Sequence, residues 1–590
     1  MLGISAGAAL LRSPYSCPAA AHPVFAPRFV GRPPSDALMG LCRLPDGELR
    51  HYNYGLQADP AHRLDGDQSE DNPFYIASAD SGLTWERRRL PKGTLAADER
   101  SPISGEYIRL MNRGADGIAV ARSRAGIDGS YDVKKIWPQS GGWMRPAVFV
   151  HRGRKILVGC RFPEKGKPGF RTGAFFSNDD GITWNLSNLV AAPPHVAGGI
   201  HQSVRWQNGG MEPTFLELND GRIWMLMRTS QDTHYESFSL DGGETWDEPR
   251  PSRFYATITM PTLGRLSDGR ILLLWNNTTP LPEVARDEHD DSARRSGVLE
   301  GYQEDVFTNR DAIHAAISAD EGRTWRGFRE LYLDPRRAAR DYGDTGGSDR
   351  GLHQNQFVQV EGGAVLASVG QHWLHRSLLL FHPDWLLEKR RANAFENGLE
   401  DWCVHMYIKG IRGHCAYNRE PGAGLIPHPR VSGRKVLQIR RQRNIALVSE
   451  NQGAIWNFPA CRAGVFTARV MFVPGGQGGR ISLLDRWVNP SDVFSDRYSM
   501  FNLLVRGDSA GAVNAKLTPG KWHGIRLEWD DLSDRGRNHG RTYIDGTLQP
   551  EPLALNHSSV NGISYVHLLS VAERTDDRGF LVESVSAEAK

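Results

Sequence analysis

The chain of 590 residues carries 71 Lys plus Arg against 68 Asp plus Glu, a formal net charge of +3, with 39% hydrophobic and 24% charged residues. This balance excludes a largely disordered chain and argues against a general nucleic-acid binder, which would concentrate basic charge. No apolar run approaches the roughly 20 residues of a membrane helix, and six scattered cysteines without a C-x-x-C pair speak against a zinc site or a disulfide-built fold.

The chain opens on a short apolar stretch, Met1 to Leu11, followed by Arg12 and then Ala19-Ala20-Ala21. Small apolar residues before an A-x-A-like site resemble a secretory signal, although a basic leader is missing. Residues 1–28 are therefore expected to be an export-signal remnant or a disordered N-terminus, and the protein to be secreted or periplasmic.

From Phe29 to about residue 390 two repeats set the expectation. The first is S-x-D-x-G-x-T-W, found at Ser78–Trp85, Ser177–Trp184, Ser239–Trp246 and Ser318–Trp325. Asp bonds its own backbone in turns, Gly supplies positive φ, and Trp buries a large flat surface, so each copy reads as a hairpin tip stapled to the neighbouring unit. The second repeat is an apolar strand, a turn centred on Gly, and another apolar strand. Glu212 to Met227 and Met260 to Trp275 are its clearest copies, turning at Asp220-Gly221 and Asp268-Gly269. Weaker copies centre on Asp46-Gly47, Asp116-Gly117, Arg152-Gly153 and Gly362-Gly363. Such hairpins about every 60 residues suit propeller blades of roughly four strands. The fold class expected is all-β: a six-bladed β-propeller over 29–390, then a jelly-roll β-sandwich over 391–590.

The four boxes resemble those of the sialidase superfamily of six-bladed propellers, where they are known as Asp-boxes. After residue 390 they stop. Gly520-Lys-Trp522-His523 to Trp529, followed by Tyr543-Ile-Asp545-Gly546, resembles the laminin-G and concanavalin-like sandwiches.

In a propeller the innermost strands converge on a central funnel, so residues at their starts meet. Aligning the hairpins on their turn glycines places Arg145, Glu212, Met260 and Gln354 at those starts. Arg161, Arg228, Asn276 and Gln371 follow seven or eight residues after the glycine. The resemblance implies three arginines clamping a substrate carboxylate, a task suited to the guanidinium fork. Glu212 with Arg228 matches the family's Glu and second clamp arginine, and Arg310 in Asn309-Arg310 matches the third. The chain also departs from the family. Pro34-Ser35-Asp36 stands where an Arg-Ile-Pro is usual, with Arg32 several residues too early. No Tyr occurs in Gly351 to Phe357, where the nucleophile would lie, and the nearest is Tyr342.

The acid/base Asp implied by the resemblance falls in the loop Arg63 to Asn72, where Asp67 is the choice among four carboxylates. A loop this acidic could instead be solvated or hold a structural calcium. His201 and His353 are the other titratable candidates for acid/base work. The substrate-binding set is Arg145, Arg161, Arg228, Arg310 and Gln354, with no metal-ligand set. No nucleotide or flavin fingerprint is present, so no cofactor is required. The expected partner is a glycan or oligosaccharide, and the leading function a sialidase-like exo-glycoside hydrolase removing a terminal acidic sugar. Two alternatives stay open: a lyase cleaving a uronate-containing glycan by β-elimination, and a non-catalytic glycan-binding propeller.

Overall fold

Turn chemistry organises the chain. In the computed structural model, Gly47, Gly153, Gly221, Gly269 and Gly363 each close a hairpin at φ between 82° and 94°, a region that L side chains rarely adopt. The structure describes residues 24–33, 40–52, 74–89, 99–139 except 125 and 128, 145–164, 169–202, 205–282, 309–340, 351–370, 376–411, 417–444, 449–506, 515–533 and 539–590.

Around these turns the described residues form six four-stranded antiparallel sheets. From the innermost strand outwards, the first blade holds Leu41–Arg43, Leu49–Tyr52, Phe74–Ser78 and Glu86–Arg89. The next four blades begin at Glu99–Arg100, Ala147–Val150, Met211–Glu217 and Thr262–Arg265. The sixth runs Gln356–Gln359, Val365–Val369 and Ser377–Phe381, and is completed by the N-terminal strand Arg28–Gly31, with Arg28 opposite Leu380. Borrowing one strand from the far end of the chain closes the ring. A channel of about 680 Å³ along its axis touches every blade, through Leu41, Arg100, Ala147, Phe215, Leu263 and Phe357.

One expected turn is corrected. The second blade's innermost hairpin bends at Gly105 (φ 74°), whereas Asp116-Gly117 joins its second and third strands. Only Glu99 and Arg100 pair in that innermost strand, too short a run to show a period in the sequence.

The S-x-D-x-G-x-T-W copies share one turn. In the second, Asp179 accepts the Thr183 N–H at 2.8 Å and the Thr183 hydroxyl at 2.5 Å, and Ser177 donates to it at 2.8 Å. Its Trp184 enters the apolar layer shared with Ile108 and Val120 of the preceding blade. Trp246 and Trp325 do the same one and two blades on, and Trp85 packs on the layer between the sixth and first blades. The box glycine must be a glycine for a second reason: a Cβ on Gly243 would lie 2.6 Å from Leu157 of the blade before. The boxes are structural staples on the blade rim.

The C-terminal part is a two-layer sandwich. A nine-stranded and a six-stranded sheet enclose one core, in which Leu437, Phe466 and Val582 of the first meet Trp456, Ile481 and Leu503 of the second. Its six-stranded sheet faces the propeller: Gly453–Cys461 lies along Arg326–Leu333 of the fifth blade. This junction is polar. Asn457 Nδ2 donates to the Phe328 carbonyl at 3.0 Å, and Tyr565 donates its hydroxyl to Glu330 at 2.8 Å.

Burial at this junction pushes the Glu330 carboxyl up to about 7, against the opposing influence of Arg391 and the Tyr565 hydroxyl. A carboxyl whose folded-state pKa is raised binds its proton more tightly folded than unfolded. Its presence therefore favours the folded state at low pH, and that advantage is lost as pH rises from about 4.5 through 7. Glu330→Gln removes this dependence. The gain in Tm of the variant over the parent should widen from pH 5 to pH 8, as followed by thermal melts; a constant gap contradicts the assignment.

Candidate functional site

The blade geometry gathers charged side chains at the start of the innermost strands. Glu212 sits there on the fourth blade, buried, with φ of 45° beside an irregularity between Met211 and Thr214. The equivalent approaches on the fifth and sixth blades carry Ile258 at φ 44° and Gln354 at 58°. A β-branched Ile in that region is sterically costly, and backbone strain of this kind concentrates at functional sites. At these positions the Ile258 carbonyl meets Arg310, the Glu212 side chain meets Arg228, and the Gln354 side chain approaches Glu212.

Glu212 Oε2 accepts from Arg228 Nη1 at 3.2 Å, and Gln354 Nε2 lies 3.5 Å from Oε1, at the edge of hydrogen-bonding range. Burial alone would raise the Glu212 carboxyl, but the guanidiniums of Arg228, Arg161 and Arg145 outweigh it and hold the group below the usual range. It is an ion at neutral pH. Burial conversely pulls Arg145 down to about 10, with Glu212 opposing, and lowers Arg161 in the same way.

Each guanidinium is oriented by a second partner. Arg228 Nε donates to Asn208 Oδ1 at 2.7 Å, and its plane lies 5.2 Å from the Trp206 ring centroid. Arg161 lies 4.7 Å over Phe170, and Phe170 meets Trp206 edge-on at 6.2 Å. Two thioethers serve as soft acceptors: Met260 Sδ for Arg145 at 2.6 Å and Met211 Sδ for Arg161 at 3.3 Å. Arg310 donates to the Ile258 carbonyl at 2.6 Å and to His353 Nε2 at 2.8 Å. Since a guanidinium can only donate, that ring nitrogen of His353 accepts.

The structure thus brings together Glu212, Arg145, Arg161 and Arg228, and links Arg310 to them through His353 and the adjacent Gln354. His201 is elsewhere. Expected as an acid/base group, it is instead buried with its Nε2 2.7 Å from Asp492 Oδ2 of the sandwich and its ring edge-on to Tyr498. It belongs to the junction between the two parts. Arg32 points its Nη1 toward the Arg376 carbonyl at 3.4 Å. Asp67, Tyr342 and Gln371 lie outside the described residues. Among the described residues no group of three His, Cys, Asp or Glu side chains is gathered as a metal site requires, and no helix is long and apolar enough to cross a membrane. The acidic loop Arg63 to Asn72 lies outside them too.

Residues 133–365 match the model of the BNR repeat-like domain. The resemblance to the sialidase superfamily carried by the four boxes is supported by this match. Among solved structures, a Trypanosoma rangeli sialidase in complex with 2,3-difluorosialic acid aligns over 96% of this chain and 91% of its own, at 13% identity and a TM-score of 0.33. A Dyadobacter fermentans protein of unknown function aligns over 61% and 98%, at 16% identity and a TM-score of 0.38. A Hadza microbial sialidase aligns over 59% and 65%, also at 16% and 0.38. No curated protein is similar to the chain in sequence.

Sequence reasoning missed Asn208, Trp206 and Met211, while it placed Met260 at a strand start without its contact to Arg145. Asn208 stands in the irregular Gln-Asn-Gly-Gly run before Glu212, where no strand period reports on it; its four-residue distance from Glu212 was the available signal. The geometry predicts the behaviour of Glu212→Gln. Removing the only carboxylate described among these guanidiniums leaves like charges facing one another, at a cost of roughly 3–5 kcal/mol. Thermal melts should show this loss, and acetate should raise the Tm of the variant more steeply than that of the parent, because it can replace the missing carboxylate. Equal melting points and equal acetate dependence contradict the arrangement.

Proposed function

We propose that the protein is a sialidase-like exo-glycoside hydrolase that removes a terminal acidic sugar from a glycan. The observation that carries this reading is the buried Glu212 carboxylate with Arg228, Arg161 and Arg145 gathered around it. Guanidiniums gathered at one site favour an anionic ligand, and their planar forks favour a carboxylate. Arg228 and Arg310 hold the substrate carboxylate in this account, with Arg145, Arg161 and Gln354 around it.

The chemistry divides according to charge. A carboxyl held below its usual range carries no proton to donate at neutral pH, so Glu212 is not the acid. It stays negative, stabilises the positive charge that develops at the anomeric carbon, and receives a proton from the attacking water. Asp67 protonates the departing glycosidic oxygen. The bond from the anomeric carbon to that oxygen breaks as the bond to water oxygen forms, so no Tyr nucleophile is needed. The acceptance of an Arg310 N–H by His353 commits that ring nitrogen to the clamp, which favours hydrolysis over proton abstraction by His353 in a lyase. The N-terminal sequence suits action outside the cytoplasm, by a secreted or periplasmic protein.

The test incubates the purified protein with sialylated and uronate-bearing glycans and follows reducing sugar and unsaturated-uronate absorbance in one tube. Sugar release without absorbance is expected, with kcat falling about 10²-fold or more in Glu212→Gln. Arg310→Ala should raise KM for the acidic sugar about tenfold or more. Absorbance that grows with product and disappears in His353→Ala would instead make the protein a lyase.

A further inference from the structure

Two buried contacts cross from the C-terminal part, one to the loop whose Trp206 and Asn208 contact Arg228 and one to the segment that bears Arg310. The first begins at Asp492, whose Oδ1 accepts the Phe494 N–H at 2.9 Å while Oδ2 accepts from His201 at 2.7 Å. Both side chains are essentially inaccessible, at 0% and 1% exposure. His201 is held at φ 65°, and its carbonyl accepts from Arg205 at 2.8 Å. Arg205 reaches the Ser230 carbonyl at 2.9 Å and pairs with Asp232 at 2.7 Å. The Ser230 hydroxyl accepts the Asn208 N–H at 2.5 Å and donates to the Trp206 carbonyl at 2.8 Å. Asn208 and Trp206 both contact the Arg228 guanidinium.

The second contact lies on the fifth blade. Asp311, next to Arg310 in the chain, accepts from Arg419 at 2.9 Å and from the Tyr417 hydroxyl, both on a two-stranded ribbon of the C-terminal part, Met406–Ile411 with Tyr417–Glu420. Asn309, on the other side of Arg310, donates to the Thr279 carbonyl at 2.6 Å. Thr279 in turn donates its N–H to the Trp487 carbonyl of the sandwich at 3.0 Å. Arg310 is thus flanked on both sides by residues tied to the second domain.

We propose that Asp492 and Arg419 of the C-terminal part are positioning residues of the arginine site, holding Arg228 through His201 and Asn208 and holding Arg310 through Asp311. This rests on the reading of Arg228 and Arg310 as the carboxylate clamp. Buried ion pairs add little net stability, since desolvation offsets their attraction, but they fix geometry. A carboxylate clamp needs such fixing: a misplacement of about 1 Å can cost on the order of a hundredfold in rate. The sandwich is then part of the binding machinery without touching substrate.

The test uses full-length Asp492→Asn, Arg419→Lys and, as the conservative partner, Asp492→Glu. Backbone amide exchange is read by mass spectrometry in peptides covering 205–212 and 309–314. Asp492→Asn should speed exchange in the first segment about tenfold and Arg419→Lys in the second, with Asp492→Glu between parent and Asn variant. On the acidic-sugar substrate KM should rise about tenfold in each, with kcat within about twofold, while a carboxyl-reduced analogue is handled as by the parent. Unchanged exchange in both segments overturns the proposal. So does an equal loss on the acidic substrate and its reduced analogue, which marks general destabilisation. Should either variant fail to fold, the other tests its own arm. If no acidic glycan is turned over, the hydrolase reading fails, while the exchange data still decide whether the sandwich fixes these segments.

Discussion

The buried Glu212 carboxylate makes the arginine site possible. Arg145, Arg161 and Arg228 lie close enough for each to act on Glu212. Guanidiniums withdrawn from water lose hydration at a cost of roughly several kcal/mol per ion, which a counter-charge between them offsets. Glu212 supplies a counter-charge to all three where the innermost strands begin. Asn208, Trp206, Met211 and Met260 then limit which way each fork can face.

The propeller supplies the convergence. Six sheets set around one axis bring residues from distant parts of the chain to one end of a channel, and the N-terminal strand in the sixth blade locks the ring. The box tryptophans bind blade to blade at the rim, which leaves the strand starts free to carry strained backbone at Glu212, Ile258 and Gln354. The sandwich adds what a ring cannot. Besides the contacts between blades at the strand starts, Asp492 and Arg419 reach His201 and Asp311 from outside the ring.

Local physics explains what the sequence made legible. Boxes and hairpin glycines use turn chemistry that is complete within eight residues, so the all-β class, the propeller and the strand-start positions of Arg145, Glu212 and Gln354 could be read directly. The second blade was misread at Asp116-Gly117 because its innermost strand pairs only two residues. His201 was misread because its partner Asp492 is 291 positions away, and nothing near it in the chain signals a buried ion pair. Asn208 escaped notice for a related reason: its role is set by where an irregular loop passes Arg228, not by any period. Asp67 stays an expectation from the sequence.

The most direct measurement is a structure of the full-length protein with an acidic monosaccharide bound. The account predicts the sugar carboxylate within about 3 Å of the Arg228 and Arg310 guanidiniums, with its anomeric carbon facing Glu212. A sugar seated on the sandwich, or one in the propeller with its carboxylate turned away from both arginines, would contradict it.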